Sequence, residues 1–469
     1  MSSVQAIIAF LGALVALSVP TFAAERLPNI VFLLADDLGY GDLACCGHPY
    51  ARTPNLDRLA REGTRFQQFC VTGITCCPSR TGFMTSKFPA TFKGYPANAG
   101  FGERVTVTDL LKQAGYATGH FGKWHIGPET KSGTYGIDDI SSGEAGGRRK
   151  SDRGRDAPIY AAAIQFIEQH KDGPFYVNVW GHITHNPVNP PQSYADRFKD
   201  VTVNEADFPP PMREKFAIAK SRGGDISVGM RNYLGDVFSL DEEIGRLLKR
   251  LDELGLSDNT IVVFSSDHGS PSMRPPGEDD AAPKKKKAKK KNQTSDSGAD
   301  LTLNLMGFNG GLRGGKHGMY EGGVRVPFLI RWPGHVPAGR IDQQSVISGI
   351  DWLPTLCRIA GVKINASDFD GEDVSQAWFG QATHTRTKPL FWKVSNPGAP
   401  VGIRDGQWKL HFPNRKRGEV ELYDLANDRV ETTNVATKHP DVVQRLTARA
   451  KQWDATLPTE YEKTEEQTK

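Results

Sequence analysis

The chain is 469 residues long, 38% hydrophobic and 24% charged, which excludes a disordered chain and suits one large soluble core or two domains. Its net charge of +4 rests on one run: without the seven lysines between Lys284 and Lys291 it is 4 − 7 = −3, which excludes a nucleic-acid-binding domain. Six cysteines (Cys45, Cys46, Cys70, Cys76, Cys77 and Cys357) are too unevenly spaced for a disulfide scaffold and form no paired CxxC pattern for zinc.

The apolar run Ala6 to Leu17 followed by Thr21-Phe22-Ala23 predicts an export signal over residues 1–23, although its start lacks a basic residue. Ser18 and Pro20 interrupt the run, which is short for a bilayer span. The mature protein is therefore expected to be secreted or periplasmic, with no stable membrane insertion. Asn29 to Ala35 (NIVFLLA) is a continuous apolar run, the pattern of a buried parallel strand, and it ends in Asp36-Asp37. Thr53 as N-cap and Pro54 at the first position open a helix with Leu56, Leu59 and Ala60, closed by Gly63.

Helix Val107 to Ala114 ends at Gly115 and feeds strand Tyr116 to Phe121. Helix Ala157 to His170 stops at Gly173-Pro174 before strand Phe175 to Trp180. Tyr233, Val237, Leu240, Ile244, Leu247 and Leu251, at steps of three and four, mark a long helix before strand Thr260 to Ser266. Residues 270–310 are Pro-, Lys- and Ser-rich without periodicity and read as a disordered surface insertion; the lysine run within it reads as solvated. A further strand runs Val326 to Trp332.

From about Leu390 the pattern changes to short strands within Val401 to Leu410 and Glu419 to Tyr423, then a helix from Pro440 to Trp453 and a polar tail from Glu460. The fold class is α/β, with a mainly parallel central sheet and helices on both faces over residues 24–385. A small antiparallel sheet with a helix follows over 386–469.

In open α/β sheets ligands bind beyond the carboxyl ends of the strands. Asp36-Asp37 and Asp267-His268 follow two such ends, and Cys76-Cys77-Pro78-Ser79-Arg80 lies between them in sequence. One Asp after a strand reads as a turn cap. Three carboxylates converging on one rim need a hard cation, and oxygen-rich ligation favours calcium, with magnesium second. Positive side chains arrive at strand ends or in Gly-rich turns: Gly122-Lys123-Trp124-His125, His182 to Pro187 with His185 at its centre, and Gly314-Gly315-Lys316-His317.

The segments LLADDLGYGD from Leu33, CCPSR from Cys76, TGHFGKWHIG from Thr118, SSDHG from Ser265 and RGGKHGMYEGGVRVP from Arg313 occur in one order. With them, from Pro28 to about Trp453, the chain resembles a type I, formylglycine-dependent sulfatase of the alkaline-phosphatase superfamily. IRDGQWKL and ELYDLANDRVETTN are similar to that family's small second domain.

The resemblance implies that a formylglycine-generating enzyme converts Cys76 during maturation, leaving five thiols. It implies a calcium ion among Asp36, Asp37, Asp267, His268 and the modified Cys76. One hydroxyl of the hydrated aldehyde, activated by the metal and Asp267, attacks sulfur, and His125 assists the collapse that frees sulfate. Arg80 holds the diol, Lys123 and Lys316 hold sulfate oxygens, and His185 is acid to the leaving group.

The family also has departures here: His268 stands where many relatives have Asn, Thr184 where Pro is frequent before the histidine, and Ser86 where glycine ends the signature. The expected substrate is a sulfated carbohydrate or a small sulfate ester. A phosphonate or phosphodiester hydrolase on the same site, and a silent binder of sulfated glycans, stay open at this level.

Overall fold

The computed structural model describes residues 26–94, 96–127, 131–141, 151–273, 300–394, 399–413 and 418–459. The predicted export signal, the lysine run and the polar tail lie outside the described residues. Fourteen strands are present among those described: β1 Asn29–Ala35, β2 Thr64–Phe66, β3 Phe69–Cys70, β4 Ala117–Gly122, β5 Asp139–Ser141, β6 Phe175–Trp180, β7 Thr260–Ser266, β8 Phe328–Arg331, β9 Arg340–Asp342, β10 Ile347–Ser348, β11 Leu390–Trp392, β12 Val401–Asp405, β13 Trp408–Phe412 and β14 Glu421–Asp424.

The main sheet runs β5-β4-β6-β1-β7-β8-β2-β9. Its first five strands are parallel to one another, and β8 turns antiparallel against β7. β1 is central because its seven residues are all buried, which only a strand covered on both faces achieves. Alternate side chains serve opposite cores. Ile30, Phe32 and Leu34 enter one with the helices Cys76–Thr85, Val107–Gln113 and Trp352–Ile359. Val31, Leu33 and Ala35 enter the other with the helices Pro54–Arg61, Ala157–Gln169 and Ile226–Glu253. Helices therefore cover both faces, as the alternating segments predict.

The second, four-stranded sheet has the order β11-β12-β13-β14, and each pair is antiparallel. Val401, Ile403, Leu410 and Leu422 of this sheet, with Val442, Leu446 and Ala450 of the helix Pro440–Asp454, belong to the same apolar cluster as Ile30 and Phe32. The small sheet thus extends the main core.

Two expectations need correction. The stretch read as an insertion is ordered at its edges: Ser270, Met273, Leu301, Asn304, Met306 and Phe308 are buried. Met306 and Phe308 pack with Met230 and Tyr233 of the long helix, a contact without sequence period to announce it. Thr53 does not cap the helix Pro54–Arg61 with its side chain. Among the described residues no helix is long and apolar enough to cross a membrane.

Candidate active site

β1 and β7 pair in parallel register to their last residues, Ala35 opposite Ser266. Asp36-Asp37 and Asp267-His268 consequently leave the sheet side by side, and the Asp37 amide donates to Asp267 Oδ1 at 3.2 Å. β4 and β6 end together, Gly122 opposite Trp180, which brings Lys123 to the same rim. Gly122 is required there: its φ is 106°, and a Cβ would lie 2.0 Å from the Trp180 carbonyl oxygen. Cys76 is the first residue of the helix Cys76–Thr85, which stands on the sheet with its N-terminus at the rim. Asp37 and His125 both hold left-handed backbone, with φ of 67° and 58°. For residues other than glycine that conformation costs about 1 kcal/mol and concentrates at functional positions.

Cys76 Sγ lies 3.3 Å from Asp36 Oδ1, 3.9 Å from Asp37 Oδ1 and 3.3 Å from His268 Nε2. Lys123 Nζ is 3.3 Å and Lys316 Nζ 3.8 Å from the same sulfur. Lys123 also donates to Asp36 Oδ2 at 2.5 Å, and Lys316 to both oxygens of Asp37 at 2.8 and 2.9 Å. Arg80, fully buried, sends Nε and Nη2 to Asp267 Oδ2 at 3.1 and 2.9 Å and Nη1 to the Lys123 carbonyl at 2.5 Å. Its guanidinium lies 5.1 Å from the Trp180 ring centre.

These charges control one another. Burial works against ionisation of Asp36, yet Lys123, His185 and Arg80 hold it well below the usual carboxylate range. Asp37 behaves likewise, lowered to about 2, chiefly by His268 against the cost of burial. Burial opposes the charge on His268, and the carboxylates of Asp267 and Asp37 raise its pKa well above the usual value. Burial first, then Asp36 and Asp267, push the Cys76 thiol up. His125 is exposed as a residue, but desolvation of its ring and the Lys123 and Arg80 charges lower it to about 4.

Ligand atoms of Asp36, Asp37, Cys76, Asp267 and His268, all five buried, lie within 4.8 Å of one another. That span is about twice the 2.3–2.6 Å oxygen distance of calcium, and three carboxylates supply the oxygen-rich set such an ion takes. The residues present fit a hard divalent cation. The ten residues singled out by sequence fall on one rim: the five of this cluster, with Arg80, Lys123 and Lys316 touching it. His185 is half-buried, close enough for its charge to act on Asp36, and its Nδ1 lies 2.8 Å from the Asn186 carbonyl. His125 follows Lys123 at the open edge.

Sequence reasoning missed the supports. Asp156 accepts the amides of His182 (2.9 Å) and Ile183 (3.1 Å), and Arg155 donates to the His182 and His185 carbonyls. Asp42 accepts from Tyr233 Oη at 2.6 Å and from the Gly39 and Phe308 amides, pinning the turn after Asp37. Only Asp42, closing the run DDLGYGD, carried a readable signal: a third carboxylate just past a buried strand.

A family model described as Sulfatase matches residues 28–362. A second, described as N-sulphoglucosamine sulphohydrolase, C-terminal, matches residues 315–455. The chain is 30% identical to arylsulfatase A of Homo sapiens, over 90% of this chain and 87% of that protein. It is 28% identical to N-acetylgalactosamine-6-O-sulfatase of Bacteroides thetaiotaomicron, over 89% of this chain and 91% of the relative. In fold it is similar to the crystal structure of Ps i-CgsB in complex with k-i-k-neocarrahexaose, with a TM-score of 0.73 at 23% identity, covering 94% of this chain and 96% of the other. A match that runs through both sheets and through the acidic rim leaves one assignment: the chain belongs to the sulfatase family, as a type I sulfatase of the alkaline-phosphatase superfamily, and is a sulfuric ester hydrolase.

Proposed function

We propose that this protein is an exported sulfatase that removes sulfate from a sulfated carbohydrate, with aryl sulfates as surrogate substrates. It would use a formylglycine made from Cys76 and a calcium ion held by Asp36, Asp37, Asp267, His268 and the modified residue 76. The observation that carries this reading is the position of Cys76 Sγ, between the Asp36 carboxylate and the Lys123 ammonium at 3.3 Å each. Nucleophilic cysteines sit where their pKa is lowered; here burial and two carboxylates push the unmodified thiol up.

A formylglycine would supply, once hydrated, an attacking oxygen and a second hydroxyl whose deprotonation expels sulfate. A calcium ion would supply charge against the sulfate and acidify the attacking oxygen. The chain's own residues do the rest. Lys123 and Lys316, within 3.8 Å of the Cys76 sulfur, hold sulfate oxygens and offset the charge that builds as the S–O bond breaks. Asp267 takes the proton of the attacking oxygen, and Arg80 fixes Asp267 through its fork. His185, from the loop after β6, protonates the leaving alcohol. His125, held neutral above about pH 4, takes the proton that allows sulfate to leave.

The name of the Bacteroides relative, N-acetylgalactosamine-6-O-sulfatase, supports a carbohydrate substrate. Cys76 is 4% exposed, so a formylglycine-generating enzyme must act on the segment before the fold closes. Export through residues 1–23, a catalytic domain over 24–385 and a second unit over 386–469 complete the proposal.

The test is the mass of the tryptic peptide Phe66–Arg80 together with turnover of an aryl sulfate. CHO in place of CH2SH at Cys76 is expected. Turnover should fall on treatment with a chelator and return with calcium ahead of magnesium. Full turnover by protein with an unmodified thiol, or by chelated protein, would overturn the assignment.

A further inference from the structure

The segment Arg313 to Arg325 carries Lys316, and it is built without slack. Its start and end are joined by the Gly322 amide donating to the Arg313 carbonyl at 2.8 Å. A Cβ on Gly315 would lie 2.4 Å from the Ser270 carbonyl oxygen, one on Gly322 2.5 Å from the Arg313 and Gly314 oxygens, and one on Gly323 2.2 Å from the Gly318 oxygen. The Lys316 amide donates to the Ser270 carbonyl (3.2 Å) and the His317 amide to the Ile74 carbonyl (2.8 Å), tying the segment to the strands and loop that bear Asp267 and Cys76.

Its far end is clamped by the small sheet. Glu321, fully buried, accepts from Lys409 Nζ of β13 at 2.8 Å and from Arg325 Nε at 2.5 Å. Lys409 also lies 3.2 Å from Glu431 Oε1, and the other oxygen of Glu431 accepts the Glu321 amide at 2.5 Å. Arg404 of β12 stands 4.0 Å from Glu321. Lys409, Glu321 and Glu431 are all 0% exposed. Around them Arg313 donates to Tyr423 Oη (2.7 Å) and to the Glu431 carbonyl (3.1 Å), and Tyr320 Oη donates to Glu421 at 2.8 Å. Apart from Arg325, these partners come from the two C-terminal segments, IRDGQWKL and ELYDLANDRVETTN, that the reaction leaves without a role.

Full burial of charges at this density is costly unless geometry is held closely, and a merely adhesive interface has no need of it: apolar contacts already join the small sheet to the core. We propose that Lys409, through Glu321 and Glu431, is a positioning residue that sets the Lys316 ammonium against the substrate sulfate. Lys409 and Glu431 are thereby part of the sulfate-binding apparatus without touching substrate. This inference rests on the proposed sulfate-binding role of Lys316.

The test measures kcat/KM for an aryl sulfate and the inhibition constant of inorganic sulfate in Lys409→Met, Lys409→Arg and, as a control of comparable burial on β14, Leu422→Ala. Lys409→Met is expected to lower kcat/KM about ten-fold or more, with the sulfate inhibition constant rising in step, and Lys409→Arg to recover part of the loss. Leu422→Ala is expected to lower the unfolding midpoint with both constants unchanged. In a Lys316→Ala background Lys409→Met should add little, because the two act through one group.

An additive loss there, or equal kinetic losses in Leu422→Ala and Lys409→Met, would overturn the inference. If Lys409→Met does not fold, Glu431→Gln takes its place. Absence of any sulfate ester turnover in the parent would instead overturn the proposed function; calorimetric binding of inorganic sulfate to the parent and the Lys409 variants then still decides the positioning role.

Discussion

Arg80 shows how much of the site depends on the shape of one side chain. It is fully buried and makes three kinds of contact at once: a fork on Asp267, a bond to the Lys123 carbonyl and a face against Trp180. Burial disfavours its charge, yet Asp267 and Asp36 keep its pKa raised. A lysine would carry the same charge but could not present a planar fork or lie on the indole. Arg80→Lys is therefore expected to lower kcat/KM for an aryl sulfate by about 100-fold, since Asp267 loses its orientation. It should also destabilise the fold by about 2–4 kcal/mol, because a buried carboxylate is left poorly compensated. Steady-state kinetics and urea unfolding check the two figures; activity within three-fold of the parent would count against the role given to the fork. Ser86 is a second single-residue case. It ends the Cys76–Thr85 helix at φ 54°, a left-handed position that favours glycine, and its hydroxyl donates to the Ile350 carbonyl at 2.6 Å.

Among the elements, those covered on both faces were legible and those joined to distant partners were not. β1, β6 and β7 read as strands because burial on two sides writes a continuous apolar run. β2, β5 and β9 are three residues each, too short to carry a period, and were missed. The helix Cys76–Thr85 was missed for the opposite reason: all its residues but Pro78 are buried, so no polar face alternates with an apolar one. The active-site rim could be read because its residues stand at strand ends in short motifs. The clamp around Glu321 could not, since Lys409 and Glu431 lie 88 and 110 residues away. The cap of the helix Pro54–Arg61 is the same kind of failure. Thr53 spends its hydroxyl on the Ala44 amide and Asp57, while Asp241 of the long helix accepts the Leu56 amide at 2.8 Å and the Asn55 amide at 3.1 Å. Asp241→Ala is expected to cost about 2 kcal/mol, the upper range for a lost cap. Asp241→Asn should restore part of it, and an unchanged urea midpoint in the alanine variant would refute the cap.

Over the whole molecule, buried histidines and buried acids set opposing pH dependences. His120 is fully buried between Trp124 and Trp180, at 4.8 and 4.9 Å between ring centres, and desolvation lowers its pKa to about 3. As pH falls from 7 to 5 the unfolded histidine takes up a proton that the folded one refuses, so stability is lost by about 2 kcal/mol. Asp236 does the reverse. It is 1% exposed, and burial raises it to about 7 although Arg155 opposes the shift. Over the same interval the folded carboxyl binds a proton and the unfolded one does not, so stability rises by about 2 kcal/mol. The two contributions nearly cancel in the parent, and removing either should expose the other. His120→Phe, which keeps a ring between the two indoles, should gain about 2 kcal/mol on going from pH 7 to pH 5 relative to the parent. Asp236→Asn should lose about as much over the same step. Urea unfolding at the two pH values reads both slopes; parent and variants with the same slope would mean that these groups titrate alike in the folded and unfolded chains.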